Sequence, residues 1–411
     1  MKNRILQLAI ATATVLSVQP LQAMPFFSPD PRSFAMGGVG VASATQSNAS
    51  FFNPALLAAQ REEEDFALEL PIVSLTAADP DDLITAIDDF SAGDFVTAFD
   101  TAMTTFRNLP DQTNKDALVA AGNNLVAGLQ SLSSKQVTVM ADASVVISIP
   151  SRKFGTALYA NGWGVVGASA VMDTADLSNT LTIINNATVG NAGSIPATAP
   201  TVATTVNVRS AVVAEAGISM GRNFTIAGRE VALGITPKYM KLRMYDQSFA
   251  GGTLGNVALD STTSETTDSA VNADLGAAMA SGNWRYGLVV KNLVPQDFTT
   301  TLGNTISLNT QLRGGISYQN EWVTLASDVD LLENDPVGVE PSSQYAAVGA
   351  EFDVFDTLQL RAGYRSNISN TDDSQVTAGF GLSPFGLHID VAGSKGSGNN
   401  YGVALQLGLA F

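Results

Sequence analysis

Period-two alternation of apolar and polar residues, held over segments longer than globular strands, predicts an all-β transmembrane barrel of about 14 antiparallel strands. A block of three-and-four spacing places a helical insertion between the first two strands. Composition agrees: 14% of the 411 residues are charged and 45% hydrophobic, with a mean hydropathy of +0.16. Soluble domains carry roughly a quarter charged residues.

Residues 1–23 read as a secretory signal: "MKNR" is basic, "ILQLAIATATVLSV" is apolar, and "PLQA" ends on the small Ala23, after which cleavage is expected. The apolar core is too short to be an anchor, which needs about 18 residues or more. No later stretch is long enough for a membrane helix, so the membrane would be crossed by strands.

Residues 24–62 precede the first strand and are rich in small residues and turn formers. Their "GGVG" looks like a phosphate loop, but "MPFFSPDPRSFAM" before it holds three prolines and no strand, and the G-x-G-x-x-G spacing is absent. The barrel then runs over 63–411. Its first strand, "EDFALELPIV", groups Phe66, Leu68, Leu70 and Ile72 on one face. The insertion spans about 79–134. There Leu83, Ile84, Ile87, Phe90, Phe95, Phe99, Met103 and Phe106 recur at helical spacing, and Asp79 and Asp111 sit where N-caps belong. This block is read as a self-packing helical hairpin, a cap over the pore, or an element at its mouth.

After the insertion, "QVTVMADASVVISIP" separates Val137, Val139, Ala141, Ala143, Val145, Ile147 and Ile149 from Thr138, Met140, Asp142, Ser144 and Ser148. In "LQLRAGYRS", Gln359, Arg361 and Arg365 face inward, as do His388 and Asp390 in "FGLHIDVAG". Strands are expected near 64–75, 136–149, 155–171, 203–220, 229–245, 270–281, 283–293, 308–319, 321–332, 344–354, 357–366, 374–382, 385–393 and 399–411. Tight turns such as "SGN" alternate with long polar loops such as 175–201 and 247–269, the asymmetry of outer-membrane barrels. A soluble sandwich would also alternate, but with shorter strands and its polar face outward. Phe411 closes the last strand with the terminal aromatic that bacterial barrels present to their assembly machinery.

The chain has no cysteine, which removes thiol catalysis, disulfides and cysteine–metal sites. One histidine, His388, leaves no multi-histidine metal site, and no serine is marked as a nucleophile. No enzyme activity, catalytic residue, metal or cofactor is therefore expected. The formal charge is −17, and removing a leader that holds Lys2 and Arg4 takes it to −19, which disfavours nucleic acid as a partner.

The stretch "FAMGGVGVASATQSNASFFNPALLA" carries a resemblance, through Gly37, Gly38 and Gly40, the pair Phe51–Phe52, and Asn53-Pro54-Ala55. It resembles the N-terminal hatch of the FadL-like outer-membrane channels for long-chain fatty acids and aromatic hydrocarbons. That resemblance implies a plug over 24–62, entry of hydrophobic substrates from outside, and exit through the wall after the hatch rearranges. Phe51 and Phe52 would then face a ligand path or pack on the barrel interior. The phrase "VVKNLVPQDF" at 289–298 is similar to a strand ending in the same superfamily. The early helical insertion, "TPKYMKLRMYDQ" and "LSPFGLHIDVAG" are similar to the plasmid-transfer TraF-type barrel branch, which is distinct from the thioredoxin-like TraF. The implied function is an outer-membrane channel of a Gram-negative bacterium for small hydrophobic molecules. The alternative is a structural envelope protein accessory to conjugation or secretion. Expected partners are outer-membrane lipids, the barrel assembly machinery, hydrophobic small molecules and envelope proteins.

Overall fold

The computed structural model describes residues 29–59, 66–251, 264–334, 342–355, 357–369 and 373–410. The leader and Phe411 lie outside the described residues. Fourteen strands close into one antiparallel barrel: β1 Ala67–Asp79, β2 Gln136–Ile149, β3 Gly155–Val171, β4 Thr205–Ile226, β5 Arg229–Ala250, β6 Glu265–Ser281, β7 Trp284–Lys291, β10 Gln311–Gln319, β11 Val323–Asp330, β12 Tyr345–Val354, β13 Leu358–Asn367, β14 Ser374–Leu382, β15 Leu387–Gly396 and β16 Asn399–Ala410. A two-stranded hairpin, β8 Gln296–Thr299 with β9 Thr305–Leu308, stands outside that sheet. Pairing of β1 with β16 leaves the barrel sheet without an edge, so every strand finds its ladder partners without water. Among the described residues, no helix is long and apolar enough to cross a membrane.

The alternation sorts as the sequence implies. Leu158, Ile218, Tyr239, Val271, Leu288, Val348, Leu360, Val376 and Val403 lie exposed on the outside, where a bilayer would cover them. At the short-turn end, Phe154, Phe224, Trp284, Trp322, Phe355 and Phe385 are also exposed. Rings set at an edge of the apolar band suit a membrane interface, being apolar in body and able to meet headgroups. Asp142, Ser144, Gln359, Arg361, Asp390 and Gln406 are buried on the inner face.

One face assignment is overturned. Leu70 is outside as expected, but Ile72 is fully buried. The register with both neighbours shifts between Glu69 and Ile72, and this bulge turns the rest of β1 by one residue.

The insertion forms α3 Leu83–Ala92, α4 Phe95–Asn108 and α5 Gln112–Leu132, three helices in place of a hairpin, broken at Gly93 and Asp94. Asp111 caps α5, its carboxylate accepting from the Asn114 amide at 2.8 Å. Asp79 works from one turn away: Asp82 is the formal cap of α3, but Asp79 accepts from the Leu83 and Ile84 amides at 2.6 and 3.2 Å. The bundle does not pack only on itself. Phe99, Met103, Phe106, Leu118 and Leu129 share a core with the wall residues Val137, Val166, Val206, Val208 and Phe249. The long strands β4 and β5, each 22 residues, carry that wall beyond the exposed apolar belt, and the helices cover its outer face.

Two features of the loops differ from expectation. The segment 175–201, read as an irregular polar loop, contains the helix α6 Thr174–Asn186, whose Ile183 and Ile184 join the same core. Its Asp176 carboxylate binds the Ala203 and Thr204 amides at 2.7–3.0 Å, tying the following chain down. The hairpin β8–β9 folds inward, with Phe298, Ile306 and Leu308 packed on Trp163, Met240, Leu242 and Met244. The wall is thus clad on both sides, by helices outside and by the hairpin inside.

Candidate functional site

Residues 29–59 lie within the barrel. Their short helices are α1 Pro31–Ala35 and α2 Ala49–Phe52, followed by a 3-10 turn at Pro54–Leu57. Ala35, Met36, Val39, Val41, Phe52, Asn53, Ala55 and Leu57 are shielded from solvent. The glycines have separate reasons. Gly37 and Gly38 adopt positive φ, at 78° and 88°, where a side chain is strained. A Cβ at Gly40 would strike the Phe52 ring.

Asn53 holds the segment together. Its amide donates to the Val41 carbonyl at 2.9 Å and to the Ala277 carbonyl of β6 at 3.0 Å, and its oxygen accepts from the Ala55 amide at 3.1 Å. Pro54 opens the turn with no backbone N–H to satisfy. Phe51 lies edge-on to Tyr159, with centroids 5.4 Å apart, and Phe52 is fully covered, its ring lying against Gly40.

The wall is shaped for this backbone. Gly155, Gly221, Gly234 and Gly276 pair directly across β3, β4, β5 and β6, forming one transverse row. A Cβ at any of the four would collide with Asn53, Pro54, Ala55 or Leu57. The pair Gly287–Gly315 meets Val41 in the same way, and the pair Gly349–Gly363 meets Met36 and Gly37. Strand-interior glycines normally weaken a sheet, so their alignment under one foreign backbone marks a fitted contact. Their presence is visible in the sequence, but their register is not.

Polar ties complete the seal. Asp328 accepts from the Gly40 and Val41 amides at 2.7 and 3.0 Å. Thr377 accepts from the Gly37 amide at 2.9 Å and donates to the Ala35 carbonyl at 2.7 Å, and Ser317 donates to Ala42 at 2.9 Å. Arg32 grips Glu351 at 2.7 and 2.8 Å, Arg361 donates to the same Glu351 at 2.7 Å, and Asp390 pairs with Arg361. His388 does not join Asp390: its Nε2 lies 2.6 Å from Glu69, with Gln406 donating to that carboxylate at 2.9 Å. Arg361 and Asp390 therefore serve the seal, while Arg365 stacks on the Tyr345 ring at 5.0 Å.

The two halves of the segment are held differently. Residues 49–58 pack in a large apolar cluster with Ile72, Val146, Tyr159, Ala232, Ala278 and Val289. Residues 30–39 have only small apolar patches and rely on the polar ties, while Val41 and Ala44 join the large cluster. Beside Phe51 lies a cavity of about 60 Å³, lined by Asp142, Asn161, Trp163, Glu215, Lys238, Asp274, Lys291 and Asn292 among others, with Leu308 of the hairpin also in its lining.

A closed 14-stranded barrel whose interior is occupied by an N-terminal segment is the architecture that the resemblance to the FadL-like channels implies. The profile of the family described as "F plasmid transfer operon, TraF, protein" matches residues 50–330, and the chain belongs to that family. Among solved structures, the CymD monoaromatic hydrocarbon channel shares the fold, at 11% identity and a TM-score of 0.50 over 93% of this chain and 96% of that one. The toluene transporter TbuX of Ralstonia pickettii aligns over 95% and 98% of the two chains at 12% identity and a TM-score of 0.49. A Pseudomonas aeruginosa FadL homologue aligns over 96% and 99% at 10% identity and a TM-score of 0.45. Comparison with curated proteins gave no match.

Proposed function

We propose that this protein is an outer-membrane, hatch-gated channel that binds or passes small hydrophobic molecules, long-chain fatty acids among them. One observation carries the reading. The lumen is filled by a segment whose residues 30–39 are held mainly by exchangeable polar ties, while residues 41–58 contribute to a large apolar cluster with the wall. Hydrogen bonds can be traded for water at little net cost, whereas withdrawing an apolar cluster costs about 25 cal/mol per Å² exposed. Residues 30–39 are then the moving gate and 41–58 the hinge side.

The exit reading has one support. An apolar groove of about 800 Å³ on the outer wall, lined by Trp284, Tyr318, Leu325, Val348 and Tyr364, includes Gly349 and Gly363, which face Met36 and Gly37 inside. The wall is one backbone thick there. Export with cleavage after Ala23, assembly through Phe411 and residence among the lipids of a Gram-negative outer membrane belong to the same proposal. Deletion of the protein in its host, with uptake of labelled long-chain fatty acids and aromatic hydrocarbons measured, tests it. Lower uptake restored by the intact chain supports transport, and unchanged uptake of every probe overturns it.

A second reading, an envelope protein accessory to a conjugation apparatus, is favoured by the family description and by the helical bundle that clads the outer wall. Crosslinking from 80–134 to another envelope protein, with uptake unaffected by deletion, would support it over transport.

A further inference from the structure

The cavity beside Phe51 is lined in part by buried oxygens that find no donor in the protein. Lys238 is held between Asp274 at 3.0 Å and Glu215 at 3.5 Å, so its charge is already shared by two carboxylates. The Lys291 ammonium donates to the Phe51 carbonyl at 2.5 Å. Asp142 is 2% exposed; Ser144 donates to its Oδ1 at 2.6 Å, while Oδ2 has no hydrogen-bond partner. Three further lining oxygens are likewise buried and unpartnered: Asn161 Oδ1, Asn292 Oδ1 and Ser50 Oγ. Asn292 and Ser50 are themselves 6% and 3% exposed. Three carboxyl groups and two lysines are among the lining side chains. A buried acceptor without a donor costs about 1–3 kcal/mol, and several around one cavity call for an occupant with donors.

The remaining walls set the occupant's body. Trp163, Phe51, Met240 and Leu308 give the cavity an aromatic and apolar side opposite its acceptors. A carboxylate beside an indole is the arrangement that binds an organic ammonium, through charge, N–H donation and the ring face. The volume of about 60 Å³ holds a few heavy atoms, on the order of four water-sized groups. A carboxylate ligand would meet Asp142, Glu215 and Asp274, and a neutral alcohol would bring a single O–H donor to several unpartnered oxygens.

We propose that this cavity is a binding site for the ammonium end of a small primary amine, with Asp142, Asn161, Asn292 and Ser50 accepting from its N–H groups. The site is complete with the hatch shut, so binding stands independently of whether anything is transported.

The full chain in detergent, probed by saturation-transfer NMR with n-propylammonium, n-propanol and propionate, tests it. n-Propylammonium should bind at least about tenfold more tightly than either control, a gap of about 1.4 kcal/mol. Asp142→Asn should weaken it at least about tenfold, and Asn292→Ala should also weaken it, both with heat-modifiable migration intact. Should Asp142→Asn fail to fold, Asn292→Ala and Trp163→Leu carry the test. Equal binding of the three probes, absence of n-propylammonium binding, or affinity untouched in folded variants overturns the proposal in favour of a cavity holding water only.

Discussion

At the residue scale, Asn53 and the wall glycines invite the sharpest tests. Asn53→Ala removes the donor to two backbone carbonyls and the acceptor for Ala55, so the segment should lose about 1–3 kcal/mol of local stability. Planar-bilayer recordings should then show more frequent opening, while gel migration of the folded barrel stays the same. Gly276→Ala drives a methyl into Asn53 and Pro54 and should also raise conductance. Gly314→Ala, whose Cβ meets nothing nearer than 3.6 Å, is the matched control and should behave like the unaltered chain. If both glycine variants conduct alike, the fitted-contact reading of the row fails.

At the element scale, the first half of the inner segment and the helical bundle should respond independently. Arg32→Ala breaks the bidentate grip on Glu351, a partner that Arg361, shared with Asp390, still contacts, so the barrel should survive while residues 30–39 loosen. Because the chain has no cysteine, Val39→Cys introduces one thiol at a fully buried position. That thiol should react with a membrane-impermeant reagent several-fold faster in the Arg32→Ala background. In the bundle, Phe106→Ala empties a covered site and should cost about 3–5 kcal/mol. Proteolysis should then cut within 83–132 before any strand is cleaved.

At the scale of the whole molecule, closure of the barrel and its apolar exterior predict behaviour no single element shows. The unboiled protein should migrate differently from the boiled one, and it should need detergent to stay dispersed. Identical migration together with solubility in plain buffer would sink the membrane reading. The extended wall of β2–β5 stands outside that logic. Its outer face carries Val206, Val208 and Phe249 under helices, so deleting 80–134 should leave a folded barrel that aggregates more readily.

Alternation alone was enough to place the barrel strands and most of their faces, because a strand in lipid must put every second side chain outward and satisfy its backbone in a closed ladder. Helical spacing likewise placed the insertion, and the Gly-rich stretch with Asn53-Pro54-Ala55 marked the inner segment. What waited for tertiary structure were matters of register and partner. The bulge after Glu69 that turns Ile72 inward, and the alignment of Gly155, Gly221, Gly234 and Gly276, depend on how strands slide past one another. The pairing of His388 with Glu69 and not Asp390, the helix α6 inside a polar stretch, and the unpartnered oxygens around Asp142 depend on residues distant along the chain. Local pattern determines which face a residue takes. Only closure of the barrel determines what that face meets.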